Sequence, residues 1–185
     1  TMLFHDFGKP EVKTTGPDGI DHFRRHPEVS EELAGKVLKR LKFDNETVRQ
    51  VKKLVWCHDQ HPALTPAGVR KALNWIGEDL FASYLKVQRA DILAQNPAMQ
   101  EPKFLALEKV EQIYKRIIRE QNCITLKQLA VGGRDLMEAG FPAGPFLGEI
   151  LQYLLELVLE EPERNQKEWL LGEAVRRYGR PPSPD

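Results

Sequence analysis

The chain has 185 residues, of which 41% are hydrophobic and 29% are charged, and these proportions are ordinary for a globular protein. Its 27 basic and 27 acidic side chains cancel, which excludes a general attraction to nucleic acid and leaves only a local basic patch to bind it. No apolar run reaches the roughly 18–20 residues of a membrane span, and Cys57 and Cys123 are too few for a disulfide framework, so we expect a cytoplasmic protein without a membrane partner.

Residues 3–10, LFHDFGKP, place a His-Asp pair between apolar residues and a Gly-Lys-Pro sequence. The apolar residues would anchor the end of a helix in the core, and Gly8 and Pro10 would stop that helix. His5 and Asp6 would then offer a nitrogen and a carboxylate oxygen to one divalent metal. Such a pair also occurs by chance in many proteins, so the metal hypothesis depends on further ligands.

The chain that follows has the pattern of four helices separated by turn signals. Gly16-Pro17-Asp18-Gly19 is typical of a surface turn, and apolar residues at spacings of three and four then indicate helices with one buried face. The predicted helices run from His22 to Leu41, from a cap at Asp44 or Asn45 to His58 and Asp59, from Thr65-Pro66 to Gly77, and from Leu80 to Gln95. If helical throughout, the first would present His22 and His26 on the same side.

The second half of the chain also has the pattern of helices, after a break at Asn96-Pro97 and a predicted linker at 98–103. The elements predicted beyond the linker are an amphipathic helix at 104–118, a capping box of Thr125 and Gln128, a glycine-rich turn at 131–148, an apolar helix at 149–161 and a last helix around Trp169. The tail at 181–185 is predicted to be disordered. No segment has the pattern of a strand, so we predict an all-α fold.

Four positions along these predicted helices carry side chains suited to a metal, namely His5-Asp6, His26, His58 and Asp91. Each lies at a helix end or on the inner stripe of a helix, where helical bundles build metal sites from facing helices. Their nitrogen and oxygen atoms suit one or two ions of manganese, nickel, iron, zinc or magnesium. Asp6 would take a catalytic role by bridging two ions, and Lys9 would meet a phosphate oxygen as a point charge.

Each of these candidates also has a structural alternative. Asp91 would be a core carboxylate paired with Arg89 or Arg70, and Asp59 is better explained as a helix-end residue than as part of a second dyad. The histidines expected at the surface are His22 and His61. Taken singly, structural roles are the more common outcome, but the joint order and spacing of the four positions favour a ligand set.

Basic residues cluster in two parts of this neutral chain. The cluster in the second half comprises Lys103, Lys109, Lys115, Arg116, Arg119, Lys127 and Arg134, and the predicted RNA contacts among them are Arg116, Arg119, Lys127 and Arg134. The other cluster lies between Arg24 and Lys53. A solvated helix face explains either cluster equally well. The glycine-rich turn at 131–148 would expose backbone amides to a phosphate, or would only allow close packing at a corner.

The order His-Asp, His26, His58 and Asp91 resembles that of the HD superfamily of metal-dependent phosphohydrolases. The resemblance is closer still to the HD-containing bacterial tRNA nucleotidyltransferases, the CCA-adding and poly(A)-polymerase family. It rests on the stretches LFHDFGKP, DHFRRHPEVSEELAGKVLKRLKFDNETV, LVWCHD, RADILAQNP and CITLKQLAVGGRDLMEAGFPAGPFLGEILQYLLELVLEEPERN. It implies an HD domain at 1–97 and a helical tRNA-binding tail at 98–180.

The resemblance also implies parts that lie outside this sequence. The family's HD domain has a further histidine upstream of the dyad, and its nucleotidyltransferase head has a Gly-Ser turn and paired aspartates. We therefore expect a C-terminal fragment of an enzyme that adds CCA to tRNA 3′ ends, with tRNA and the missing N-terminal head as partners. Two alternatives stay open: a stand-alone HD phosphohydrolase acting on a nucleotide or cyclic phosphodiester, and a helical RNA-binding module with a vestigial metal site.

Overall fold

A computed structural model describes residues 1–179, and nearly all of their regular structure is helical, which confirms the predicted all-α class. The α-helices are α1 Lys9–Val12, α2 His26–Arg40, α3 Asn45–Cys57, α4 Pro66–Ile76, α5 Glu78–Ala94, α6 Gln100–Arg119, α7 Gly133–Glu138, α8 Pro145–Glu160 and α9 Lys167–Tyr178. Two short strands that the sequence did not predict, β1 Thr14–Thr15 and β2 Asp21–His22, pair antiparallel across the predicted turn. The predicted disordered tail at 181–185 lies outside the described residues.

The chain forms two compact units that alternate along the sequence. The first comprises Thr1–His61 and Ile76–Glu111, and the second comprises Pro62–Trp75 and the chain from Gln112 onward. The division into 1–97 and 98–180 that the resemblance implies is a different one, and it stays a prediction.

The core of the first unit holds the His-Asp segment in place. Phe4 is buried with Ala34 and Leu38 of α2 and with Val48 and Val55 of α3. These positions lie about one or two turns apart on each helix, which is the spacing of one buried face. Each fully buried aliphatic or aromatic side chain contributes roughly 1.5–3 kcal/mol. Because Phe4 directly precedes His5, this packing also fixes the start of the candidate metal site.

Three predicted helix boundaries are wrong for a shared physical reason. Residues 2–8 form turns and not the end of a helix, and the helix begins at Lys9, where Gly8 and Pro10 were expected to stop it. Likewise α2 begins at His26 and not at His22, and α8 begins at Pro145 and not at 149. In all three helices a proline lies in the first turn, where its fixed φ is favourable and its missing N–H is not needed.

The helix ends around the candidate site agree better with prediction. Asp44 caps α3 by accepting a hydrogen bond from the backbone N–H of Thr47 at 2.8 Å, and His58 is the residue that closes this helix. Asn96 ends the α5 region as predicted, but the expected linker at 98–103 is helical. It forms a 3₁₀ turn at Pro97–Met99 and the first turn of α6. Proline again begins a helix here.

The second unit is built around the apolar helix α8. Its buried residues are Leu147, Ile150, Leu154, Leu155, Val158 and Leu159. The guanidinium of Arg70, a residue only 5% exposed, donates hydrogen bonds of 2.7 Å each to the carbonyl oxygens of Leu159 and Glu160. These carbonyls lie in the last turn of α8, where the helix leaves its acceptors without partners. Within the described residues, no helix combines the length and the apolarity needed to cross a bilayer.

Candidate metal centre

Three histidines of the first unit converge with their rings oriented by the backbone. The Nδ1–H groups donate as follows: His5 to the carbonyl oxygen of Met2 at 2.6 Å, His26 to that of Phe23 at 2.9 Å, and His58 to that of Val55 at 2.6 Å. A carbonyl oxygen can only accept, so in each ring Nδ1 carries a proton and Nε2 is the nitrogen that faces the site. Metal-binding histidines are held in the same way.

Two of these nitrogens and one carboxylate oxygen form a small triangle. Nε2 of His26 lies 3.0 Å from Nε2 of His58, and Oδ1 of Asp6 lies 3.4 Å and 3.6 Å from these two atoms. The point equidistant from the corners of this triangle is about 1.9 Å from each atom, close to the bond lengths of roughly 2.0–2.2 Å that zinc forms with nitrogen and oxygen. The triangle therefore has the size of one face of a metal coordination shell.

The chemistry of the triangle also fits a cation. Oδ1 of Asp6 is buried and has no hydrogen-bond partner among the described residues. Nε2 of His26 and Nε2 of His58 point toward the same place as this oxygen, so three potential ligand atoms face one another. Such an arrangement is unfavourable unless a positive charge lies between them. The residues present thus fit a divalent ion held by His26, His58 and Asp6.

The other oxygen of Asp6 faces a second set of groups. Oδ2 accepts a hydrogen bond from Nζ of Lys9 at 2.6 Å and lies 3.4 Å from Nε2 of His5. The same Nε2 lies 3.5 Å from Oδ1 of Asp91. The structure therefore brings together all the side chains that the sequence singled out as ligands, and Asp6 separates them into two sides. Their roles as ligands stay a prediction.

The charges in the site favour the protonation states that bind a metal. Burial alone raises the pKa of Asp6, but the hydrogen bond from Lys9 and the charges of His5 and Lys9 outweigh it, and the net pKa lies below the ordinary value. Burial lowers the pKa of His58, a residue that is 5% exposed. At neutral pH Asp6 is therefore an anion and His58 a neutral imidazole, the forms that coordinate metals.

Close packing of Gly8 on α2 sets the distance between Asp6 and His26. A Cβ atom at Gly8 would lie 2.6 Å from the carbonyl oxygen of His26 and 2.8 Å from the backbone nitrogen of Ser30. The backbone N–H of Gly8 donates to the hydroxyl oxygen of the fully buried Ser30 at 2.9 Å. Only glycine permits this approach, although its φ of −78° is open to any residue.

Asp91 does not have the arginine partners that its structural alternative expects. Its Oδ2 accepts a hydrogen bond from Nε2 of Gln95 at 2.7 Å, whereas Arg89 pairs with Glu111 at 3.6 Å and Arg70 with carbonyl groups of α8. The residues expected at the surface or at a helix end are all exposed, and they are His22, Asp59 and His61. Asp91 therefore faces the candidate site.

Sequence analysis missed Ser30, Gln88 and Gln95 as supports of this site. Gln88 is buried and donates from Nε2 to the carbonyl oxygen of His58. A polar residue on an otherwise apolar helix stripe was the signal that singled out Asp91, and the same signal applied to Gln88. Nothing in the sequence points to Ser30, because its role depends on a contact with a residue 22 positions away.

The four predicted RNA contacts are exposed on the second unit. Nε of Arg116 lies 2.9 Å from Glu120, and Nε of Arg134 lies 3.2 Å from Glu138. Surface ion pairs of this kind are worth little and exchange readily for a phosphate. The structure therefore leaves these side chains accessible, and RNA binding by them stays a prediction.

Comparison with known protein families gives one match. Residues 24–174, more than half of the chain, match the family described as "tRNA nucleotidyltransferase domain 2 putative". No curated protein and no solved structure matches the chain. The matched range includes His26, His58 and Asp91 but begins after His5 and Asp6. The chain belongs to this tRNA nucleotidyltransferase domain family.

Proposed function

We propose that this chain, as a member of that family, is the part of a tRNA nucleotidyltransferase that holds tRNA and carries an HD-type metal centre. The observation that carries the proposal is the family match over residues 24–174, since its description names a second domain of such an enzyme. Transfer of nucleotides would then belong to another domain.

In this proposal the exposed basic residues of the second unit bind the tRNA backbone. Each phosphate contact that is lost removes about 0.7–0.9 from the slope of log affinity against log salt. The test is filter binding of tRNA lacking its 3′ CCA, with wild type and an Arg119→Ala, Lys127→Ala double variant. The double variant is expected to bind more weakly and with a shallower salt slope. The matched control is Lys86→Ala, an exposed lysine of the first unit outside both basic clusters.

The metal centre is the second element of the proposal. One divalent ion would be held by His26, His58 and Oδ1 of Asp6. A second ion would be held on the other side of Asp6 by its Oδ2, His5 and Asp91. Two imidazoles and a carboxylate favour manganese, iron, nickel or zinc over magnesium. The support is the size of the triangle and the buried, unpartnered oxygen of Asp6.

Elemental analysis of the purified chain tests the metal centre. At least one transition-metal ion per chain is expected in wild type after incubation with manganese or nickel, and its loss is expected in Asp6→Ala. His61→Ala is the matched control, because His61 is an exposed histidine three residues after His58. Equal metal content in wild type and Asp6→Ala would mean that the metal binds elsewhere.

A second candidate function is hydrolysis of a phosphomonoester or cyclic phosphodiester at the same centre. The observation that favours it is the ammonium group of Lys9, which lies at the metal-binding carboxylate and carries a charge that a phosphate oxygen would meet. A bound divalent ion supplies Lewis acidity toward water and phosphate. Metal-dependent release of phosphate from a nucleotide, abolished in Asp6→Ala, would establish this activity. tRNA binding that is unaffected by a chelator would favour a purely RNA-binding role.

A further inference from the structure

Two glutamines on or next to the helix that carries Asp91 bind the candidate ligand segments. Gln88 lies three residues before Asp91 on α5, and Gln95, the residue that directly follows α5, lies four residues after Asp91. Gln88 donates to the carbonyl oxygen of His58, and Gln95 donates to Oδ2 of Asp91. These two glutamines thus contact two candidate ligands, one through its main chain and one through its side chain.

The amide of Gln95 has a fixed orientation. Its Oε1 accepts a hydrogen bond from Nζ of Lys103, which has no acceptor of its own, so the NH₂ group must face Asp91. With Oδ2 of Asp91 occupied in this way, Oδ1 is the oxygen directed to Nε2 of His5 at 3.5 Å. Removal of the amide would let the carboxylate rotate away from His5.

Gln88 and Tyr84, which lies four residues earlier on α5, both bind the segment that carries His58. His58 follows the last residue of α3, where its backbone N–H reaches the carbonyl oxygen of Val55 only at 3.5 Å. The amide of Gln88, which is 4% exposed, donates to its carbonyl oxygen, and the hydroxyl of Tyr84 donates to that of Gln60 at 2.6 Å. The position of the imidazole of His58 relative to Asp6 therefore depends on α5.

We propose that Gln88 and Gln95 are positioning residues of the metal centre. Gln88 holds His58 in place, and Gln95 holds the carboxylate of Asp91 in place. The inference rests on the metal centre of the proposed function. It goes beyond that function because the affinity of the centre for a metal would depend on side chains that do not touch the metal. Such outer residues orient ligands, and their loss lowers metal affinity by about ten- to a hundredfold.

Titration of the metal-free chain with Co²⁺, followed by visible absorption and calorimetry, tests the inference. Gln95→Leu and Gln88→Met are each expected to weaken Co²⁺ binding about ten- to a hundredfold and to change the absorption bands of the bound ion. Lys103→Met alters only an exposed side chain, so it keeps the fold and is expected to weaken binding less. Gln100→Leu is the matched control, because Gln100 binds the carbonyl oxygens of Leu93 and Gln95 but not Asp91.

The result that overturns the inference is a folded Gln95→Leu or Gln88→Met with the affinity and the absorption spectrum of wild type. An equal loss in Gln100→Leu would also overturn it, because the effect would then come from disturbance of the helix end. If wild type binds no Co²⁺, the proposed metal centre fails and this inference fails with it. The wild-type titration therefore separates failure of the proposed function from failure of the positioning role.

Discussion

Substitution of Gly8 by alanine tests the connection between close packing and the metal centre. The new Cβ would lie 2.6 Å from the carbonyl oxygen of His26, so the His-Asp segment must move away from α2. Overpacking of this kind costs about 1–3 kcal/mol, and loss of the hydrogen bond to Ser30 adds roughly 0.5–1.5 kcal/mol. The lower entropy of alanine in the unfolded chain offsets about 0.4–1 kcal/mol. The middle of these ranges gives an expected net loss of about 2 kcal/mol, with limits of about 0.5 and 4 kcal/mol.

Urea unfolding followed by circular dichroism measures this loss, and Co²⁺ titration measures the effect on the site. The affinity for Co²⁺ is expected to fall together with the stability, because movement of the His-Asp segment away from α2 separates Asp6 from His26. The matched control is Gly148→Ala on α8, where a Cβ meets no atom within 4 Å, so a gain of up to about 1 kcal/mol is expected. A Gly8→Ala variant with wild-type stability and affinity would refute the argument from close packing.

Three further predictions concern parts outside the site. Burial raises the pKa of the Cys57 thiol to about 11, so the folded chain is expected to react with a disulfide reagent at pH 8 far more slowly than the chain in guanidinium. Arg70→Met leaves two carbonyl groups of α8 without a donor and is expected to lower the free energy of unfolding by about 2–4 kcal/mol in urea titrations. The side-chain and backbone hydrogen bonds from Thr47 lower the pKa of Asp44, so its capping stabilises the fold at neutral pH and is lost as the pH falls through that lowered value. The urea midpoints of wild type and Asp44→Ala are therefore expected to differ at pH 7 and to approach each other below pH 4.

The candidate site could be predicted from sequence to the extent that it depends on residue type and local spacing. The local pattern predicts His58 at a helix end and Asp91 on the inner stripe of a helix. The same local rules ended a helix at Gly8 and Pro10, where α1 begins, and started α8 four residues too late, because proline can end one helix and begin the next. Contacts over long separations, such as Gly8 with Ser30, leave no local pattern, so only the structure identifies them.

The arrangement around Asp6 is unfavourable without a nearby positive charge, which favours the proposed metal centre over a purely structural role. A buried carboxylate oxygen without a partner costs about 1–3 kcal/mol, and two imidazole nitrogens at 3.0 Å add to this cost when both carry lone pairs. The surroundings reinforce the conflict, because three backbone carbonyls hold the Nδ1 protons and so keep the Nε2 atoms turned inward. Groups held in an unfavourable arrangement by many contacts are typical of binding sites, and this supports the proposed metal centre at His26, His58 and Asp6.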